Sequence, residues 1–186
     1  MLISLAKFVS RCRQPLRRFL GDTHGAPAVE FALVAPVMIL FYLGCSEICQ
    51  AVIAKRKVIQ AADSMADLVA RSEEVSAGDV SAIRAISDDI LYPLPWTLGS
   101  GNAVCVQYYR KNSGGTVYLD WQDGCSGVTT TTPATTLFPS TESSLVRVTM
   151  TYHYTSAATS VFMPNGLNFT TTAFYAPRDS EYVTYN

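Results

Sequence analysis

A long apolar segment near the N-terminus limits the possible folds more than any other feature of the sequence. Residues 31–46 contain no charge, and the apolar character extends from Ala26 to Ala54 with only two charged residues, Glu30 and Glu47. A helix that crosses a bilayer needs about 20 predominantly apolar residues. This length favours a membrane helix over the buried core helix of a soluble protein, and we expect residues 26–54 to span the membrane.

The charges on either side of this segment predict its orientation. Five basic residues precede it and three follow it, so the positive-inside rule favours a cytoplasmic N-terminus and an exported C-terminal part. A secretory signal peptide fits less well, because the basic region is long and no clean A-x-A cleavage site precedes a polar mature start. The basic residues are Lys7, Arg11, Arg13, Arg17 and Arg18 before the segment, and Lys55, Arg56 and Lys57 after it.

Charge also separates the part of the chain before Ala26 from the rest. The formal net charge of −1 includes five of the fourteen basic residues, and one of the fifteen acidic residues, that precede Ala26. The chain from Ala26 onward carries nine basic and fourteen acidic side chains, a net charge of −5. Such a body gives no bulk electrostatic reason to bind nucleic acid.

A short motif stands directly before the apolar segment. Residues 24–31 read HGAPAVEF: Gly25, four small or apolar residues, then Glu30 and Phe31. This spacing resembles the processing site of type IV prepilins, most of all the tight-adherence (Flp) branch. The resemblance implies that residues 1–25 are a cytoplasmic leader, which a prepilin peptidase removes by cleaving between Gly25 and Ala26.

The position of Glu30 has a physical rationale in such a subunit. Cleavage would make Ala26 a charged N-terminus with Glu30 four positions later on the same helical face. An isolated carboxylate in hydrocarbon costs several kcal/mol or changes its protonation. The resemblance implies that Glu30 pairs with the N-terminus of a neighbouring subunit, with Phe31 beside it in the assembly motif. The alternative is a glutamate that stabilises the first turn of a simple anchor helix.

The sequence that follows narrows the resemblance. Residues 30–44, EFALVAPVMILFYLG, and the helical pattern that continues to Arg71 resemble TadE-like proteins, minor pseudopilin-like components of the Flp pilus machinery. The resemblance implies a single-pass bacterial inner-membrane protein with a periplasmic C-terminal domain. Its implied partners are other pilin or pseudopilin subunits, the Tad/Flp assembly machinery and the prepilin peptidase. The longer TadG-like relatives carry a D-x-S-x-S metal site, which this sequence lacks.

The pattern along the rest of the chain predicts an α+β fold. One helix is expected over residues 27–71, kinked at Pro36, with residues 55–71 as an amphipathic stalk. Residues 72–186 are expected to form an exported α+β domain with a second helix over 79–90 and a four-strand antiparallel sheet packed on the outer half of the long helix. The strands are predicted at 103–110, 116–121, 145–154 and 168–175, and residues 126–143 as a long exposed loop.

The cysteines suggest a structural role. Cys105 and Cys125 flank the hairpin predicted from the first two strands. In an oxidising periplasm they could form a disulfide, with two free thiols as the alternative. Cys45 and Cys49 lie one helical turn apart in the apolar segment and are interpreted as small packing residues.

No group of residues predicts catalysis. His153 lies in the middle of a predicted strand, and the acidic pairs Asp88–Asp89 and Asp120/Asp123 fit solvated helix ends and turns. We therefore expect a non-enzyme without a metal, cofactor or small-molecule substrate. The competing hypothesis is a membrane-anchored periplasmic binding module in which the Gly25–Glu30 spacing is coincidental. An anchored hydrolase has no supporting constellation.

Overall fold

The computed structural model describes residues 25–99, 101–128, 131–140, 142–156, 165–178 and 182–186. The predicted leader lies outside these residues, apart from Gly25. The described part contains two α-helices, α1 (Ala26–Arg71) and α2 (Ala77–Leu91), and a small antiparallel sheet. The predicted α+β fold is therefore confirmed.

The chain divides into two compact units, one that ends at Cys45 and one that begins at Ser46. We call residues 46–186 the C-terminal unit. Helix α1 supplies the described part of the first unit, and its segment from Ser46 to Arg71 opens the second. The helix continues on both sides of Pro36. The predicted kink at this residue stays a prediction.

Four strands form the main sheet: β2 (Ala103–Lys111), β3 (Val117–Asp123), β4 (Ser143–Tyr154) and β5 (Leu167–Tyr175). Their spatial order is β3-β2-β4-β5 and all neighbours are antiparallel. Each corresponds to one of the four predicted strands. The turn between β2 and β3 closes where Asn112 donates its backbone N–H to the Thr116 carbonyl at 3.1 Å, with Gly115 at a positive φ of 81° that suits glycine.

The core of the C-terminal unit lies between α1 and the inner face of this sheet. Alanines are five of the eight residues in the buried stripe of α1, so the larger side chains of the sheet fill most of the space between the two. The sheet contributes alternate residues of β2 and β4, with the period of two that was predicted for β4, and one residue of β5. The buried residues are Ala54, Val58, Ala61, Ala62, Met65, Ala66, Val69 and Ala70 of the helix, and Val104, Val106, Tyr108, Val146, Val148, Met150, Tyr152, Tyr154 and Ala173 of the sheet.

Helix α2 has defined ends. Ser76 is its N-cap: the Ser76 Oγ accepts from the Asp79 N–H at 3.2 Å, and Asp79 accepts from the Ser76 N–H at 2.9 Å. The hydrogen bonds from Ser76 lower the pKa of Asp79, whose charge also suits a helix N-terminus. At the other end the Lys57 ammonium donates to the carbonyls of Ile90, at 3.4 Å, and Tyr92.

The segment between β3 and β4 differs in part from the predicted long exposed loop. Phe138 is buried against Tyr109 and Leu145, and the Arg147 guanidinium donates to the Thr131 carbonyl. This segment includes a short 3₁₀ turn, Thr135–Leu137. The abundance of Thr, Ser and Pro does predict irregular backbone. It does not reveal that one aromatic side chain anchors the segment to the sheet.

The last residues of the chain form a strand that the sequence did not predict. Strand β6 (Thr184–Tyr185) pairs in parallel with β1 (Glu74–Val75), which lies between the two helices. The preceding residue, Val183, is buried, and its backbone N–H donates to the Tyr108 hydroxyl at 2.9 Å. The Val183 carbonyl accepts from the Trp121 indole at 3.3 Å. This tail therefore belongs to the core of the C-terminal unit.

A disulfide joins Cys105, in β2, to Cys125, two residues after β3. The two cysteines are separated by 20 residues and their Cα atoms lie 4.3 Å apart. The bond ties the open end of the β2–β3 hairpin, opposite its turn. Cys45 and Cys49 are exposed, free thiols.

Replacing both Cys105 and Cys125 by serine should lower the free energy of unfolding by about 3 kcal/mol, because the unfolded chain then loses the constraint of a closed loop of this size. Denaturant titration of the detergent-solubilised chain would measure the loss. The control is the Cys45→Ser/Cys49→Ser variant, which removes two exposed thiols and should leave the midpoint unchanged. Equal midpoints for all three chains would mean that the bond adds no stability.

Candidate functional site

The first half of α1 exposes apolar side chains on all sides of the helix. Phe31, Leu33, Phe41 and Tyr42 are each at least 70% exposed. An 18-residue window of this helix has a mean hydropathy of 2.1, and none of that window is buried. Within the described residues, this is the one helix that is long and apolar enough to cross a membrane. A helix that is hydrophobic all round must be covered by lipid or by other helices.

The residues of the predicted processing and assembly motif lie at the start of this helix. Gly25 is exposed directly before it, with no atom within 4 Å of the position that a Cβ would take. Ala26 is the first helical residue, and Glu30 and Phe31 are exposed one turn later. Four residues of α-helix rise about 6 Å. The structure therefore brings Gly25, Ala26 and Glu30 to the same end of the apolar helix, and Glu30 has no ion-pair partner within the described chain.

A second carboxylate of the apolar segment, Glu47, has partners that the sequence did not predict. Its Oε2 accepts hydrogen bonds from the Tyr154 hydroxyl, at 3.4 Å, and from the Ser156 hydroxyl. Both donors lie at or just beyond the C-terminal end of β4. The sequence signal for this contact is the charge of Glu47, because a carboxylate within an apolar helix needs a polar partner. The sequence does not indicate which residues supply that partner.

The environment of Tyr154 is consistent with this contact. Burial raises the pKa of its phenol, and the negative charge of Glu47 raises it further. Burial also raises the pKa of Tyr152, with a smaller contribution from Tyr154. Both phenols therefore keep their protons at neutral pH, and that of Tyr154 acts as a donor to the carboxylate.

The histidine that the sequence singled out has structural partners. The His153 ring Nδ1 lies 2.7 Å from the Asn168 Oδ1, and the His153 backbone N–H donates to the Asn102 Oδ1 at 2.7 Å. Neither neighbour is a nucleophile or a carboxylate. In the described part of the chain no three His, Cys, Asp or Glu side chains are grouped so that they could hold a metal ion.

The acidic pairs differ from each other. Asp88 and Asp89 are exposed near the end of α2, as predicted. Asp123 is half-buried and forms an ion pair with Arg84 at 2.7 Å, so its interpretation as a solvated turn residue was wrong. Asp120 lies 3.7 Å from Arg110. The sequence could not show the Arg84–Asp123 pair, because its two partners come from different elements.

Comparison with known families identifies the same region as the sequence motif. The model of the family described as TadE-like protein matches residues 25–67. Searches of curated proteins and of solved structures find no match to the chain. The predicted resemblance is therefore confirmed for the segment that begins at Gly25 and contains both the apolar half of α1 and most of its buried half.

The raised pKa values of Tyr152 and Tyr154 predict a loss of stability at alkaline pH. In the unfolded chain these phenols ionise near pH 10, whereas the folded state keeps them neutral to higher pH. Their contribution is therefore complete below pH 10 and is lost as the pH rises through the folded-state pKa values. The melting temperature should be constant between pH 7 and 9 and should fall above about pH 10.

The double variant Tyr152→Phe/Tyr154→Phe should reduce this alkaline fall, which circular dichroism melts of the full chain at several pH values would show. Tyr118→Phe, at an exposed position of β3, is the matched control and should leave the pH dependence unchanged. An alkaline fall that is the same in all three chains would contradict the assignment to these two buried phenols.

Proposed function

We propose that this chain, TadE-like over residues 25–67, is a minor pilin or pseudopilin subunit of a bacterial Tad/Flp-type pilus assembly. It is processed by a prepilin peptidase after Gly25 and assembles through its N-terminal helix. The observation that carries the proposal is the family match over a helix that begins with the Gly25–Glu30 spacing. The family is associated with the Tad pilus machinery and not with an enzymatic activity.

The exposure of the first half of α1 supports assembly through this helix. An apolar surface that continues around the whole helix can be covered by lipid before assembly and by the helices of other subunits after it. Apolar contacts alone leave neighbouring helices free to slide. A pair between Glu30 and the new amino group of Ala26 in a neighbouring subunit would fix their register, because a carboxylate in hydrocarbon strongly requires a partner.

The C-terminal unit supports export to the periplasm. Its disulfide between Cys105 and Cys125 fits an oxidising compartment better than the cytoplasm. The basic residues that precede Gly25 favour retention of the opposite end in the cytoplasm. In this orientation the peptidase reaches Gly25 from the cytoplasmic side, and the unit from Ser46 onward is available to other periplasmic components.

A membrane-anchored periplasmic interaction protein is the alternative. It would use the same helix as an anchor and the same exported domain, but it would keep the segment that precedes Ala26 and would not enter a subunit bundle. Processing at Gly25 and the requirement for Glu30 separate the two functions.

We expect Gly25→Val to block maturation, because a β-branched side chain at the cleaved bond restricts the extended backbone that a protease needs. Cells that contain the peptidase should convert the wild-type chain to a form that begins at Ala26. Intact-mass measurement and N-terminal sequencing would follow the conversion. Gly44→Val is the matched control, since Gly44 also has nothing within 4 Å of its Cβ position, and this variant should mature normally. An intact Met1 in the wild type, or cleavage inside the apolar helix, would refute processing after Gly25.

Glu30→Ala should permit cleavage but weaken incorporation into the pilus assembly on the order of tenfold, equivalent to about 1.4 kcal/mol. The measurement is the fraction of mature chain recovered with other pilin subunits after mild detergent extraction and cross-linking. Glu73→Ala removes an exposed carboxylate beyond the end of α1 and should assemble like the wild type. Equal recovery of the Glu30→Ala and Glu73→Ala chains would remove the pairing role while leaving processing unaffected.

A further inference from the structure

The contacts of Glu47 bear on where the chain leaves the membrane. The apolar composition of the sequence extends to Ala54 and would place Glu47 within the hydrocarbon. In the structure its carboxylate instead binds the Tyr154 and Ser156 hydroxyls, at the end of a strand of the C-terminal unit. The residue that looks like an interruption of the membrane helix therefore contacts the domain that follows.

Two hydrogen bonds connect the rest of the C-terminal unit to α1 at different positions along the helix. One joins the Tyr154 hydroxyl to Glu47, and the other joins the Arg178 N–H to the Ala70 carbonyl at 3.0 Å. These two helix residues are 23 positions apart, or about 35 Å along the axis. Tyr154 is thus level with the start of the C-terminal unit at Ser46, and Arg178 lies toward the end of α1.

The end of the sheet that holds Tyr154 carries polar groups that are incompatible with hydrocarbon. His153, Asn168 and Asn102 form a hydrogen-bonded group one residue from Tyr154. Sheet edges and irregular backbone do not occur where lipid tails surround them. A membrane that reached Ala54 would immerse this group, because the adjacent Tyr154 contacts Glu47, which lies about two helical turns before Ala54. Ala54 is also completely buried in the protein core and has no surface that lipid could cover.

The length of the remaining helix agrees with an earlier exit. From Ala26 to Cys45 the helix is about 30 Å long, which equals the thickness of a bilayer's hydrocarbon core. Tyr42, 72% exposed, lies in the last turn of this stretch, where interfacial aromatic residues are common. The division between the two compact units also falls directly after Cys45.

We propose that the outer edge of the hydrocarbon lies between Tyr42 and Ser46, and that Tyr154 and Ser156 hold Glu47 at the level of the lipid headgroups. The β4 end of the sheet then rests on the outer surface of the membrane that α1 spans. Leu98, 54% exposed and bridged to Asn102 beside His153, enters the headgroup region at the same end. The proposal rests on the membrane-anchoring part of the proposed function, but not on processing or pilus assembly.

Thiol labelling in proteoliposomes of phosphatidylcholine and phosphatidylglycerol tests the boundary. Three variants of the full chain, each with Cys12→Ser, leave one reactive thiol: Cys45 alone, Cys49 alone, or Ile53→Cys with both native thiols replaced by serine. A small membrane-impermeant sulfonated maleimide is added without reductant, so that Cys105 and Cys125 stay bonded. Thiols at positions 49 and 53 should react at near their rates in detergent, and Cys45 on the order of tenfold more slowly, because a thiol in hydrocarbon does not ionise.

The two tryptophans provide a second measurement. Trp96 stacks on Tyr152, two residues from Tyr154 along β4, whereas Trp121 stacks on Tyr108, which pairs with Val146. Val146 is eight positions from Tyr154, or about 26 Å along the strand. Lipids that carry bromine high on the acyl chain should quench Trp96 in the Trp121→Phe chain, and should leave Trp121 in the Trp96→Phe chain unquenched.

Glu47→Leu tests the hydroxyl contact itself, with the conservative Ile48→Leu change at the adjacent exposed position as its control. If Glu47 lies at the headgroups, the leucine variant should melt at a lower temperature than the control and should show weaker quenching of Trp96. A higher melting temperature for Glu47→Leu than for the control would overturn the proposal. So would protection of the thiol at position 53 equal to that of Cys45.

Alkaline carbonate extraction distinguishes a wrong boundary from the absence of membrane anchoring. Release of the wild-type chain refutes membrane anchoring, whereas retention of the chain with position 53 protected refutes only the boundary.

Discussion

Apolar contact between the second half of α1 and the inner face of the sheet is the interaction on which the C-terminal unit depends. The helix presents a stripe of small residues, from Ala54 to Ala70, and the sheet covers it with larger side chains such as Tyr108 and Met150. The other side of the same helix stays in contact with solvent or partners. Because the stripe continues a first half in which Glu30 is the one charged residue between Ala26 and Cys45, a single helix contributes both the candidate membrane span and the central element of a folded domain.

The sequence predicts the apolar first part of α1 and the buried stripe of its second part because each has a strong local signal. The uncharged stretch before Glu47 requires a non-aqueous or assembled environment, and the stripe of Val58, Met65 and Val69 has helical spacing. Alternation along residues 145–154 identifies the inward side of β4, although Arg147 and Thr149 on the other side are also buried. Local patterns of this kind give element type and face without any knowledge of tertiary contacts.

Contacts between distant elements could not be predicted in the same way. The hydroxyl partners of Glu47 are more than 100 positions away along the chain, and the Arg84–Asp123 pair joins a helix to a strand. Their geometry depends on how β4 packs against α1 and how β3 packs against α2, which no local pattern determines. The candidate site shows the same limit: the Gly25–Glu30 motif is visible from its spacing alone, whereas the exit point that we propose for the helix depends on the partners of one carboxylate, Glu47.

The pairing of β6 with β1 has a consequence for biosynthesis. Val183 and Tyr185 contact Tyr108 and Trp121, and strand β6 pairs with residues more than 100 positions earlier. A ribosome makes these residues after the elements that they contact, and contacts of such long sequence separation form slowly. Strand β1 and the side chains of Tyr108 and Trp121 therefore exist for a time without these partners. During that interval the nascent chain is exposed to aggregation and to proteases, and any partner that shields the open edge at β1 would act as its chaperone.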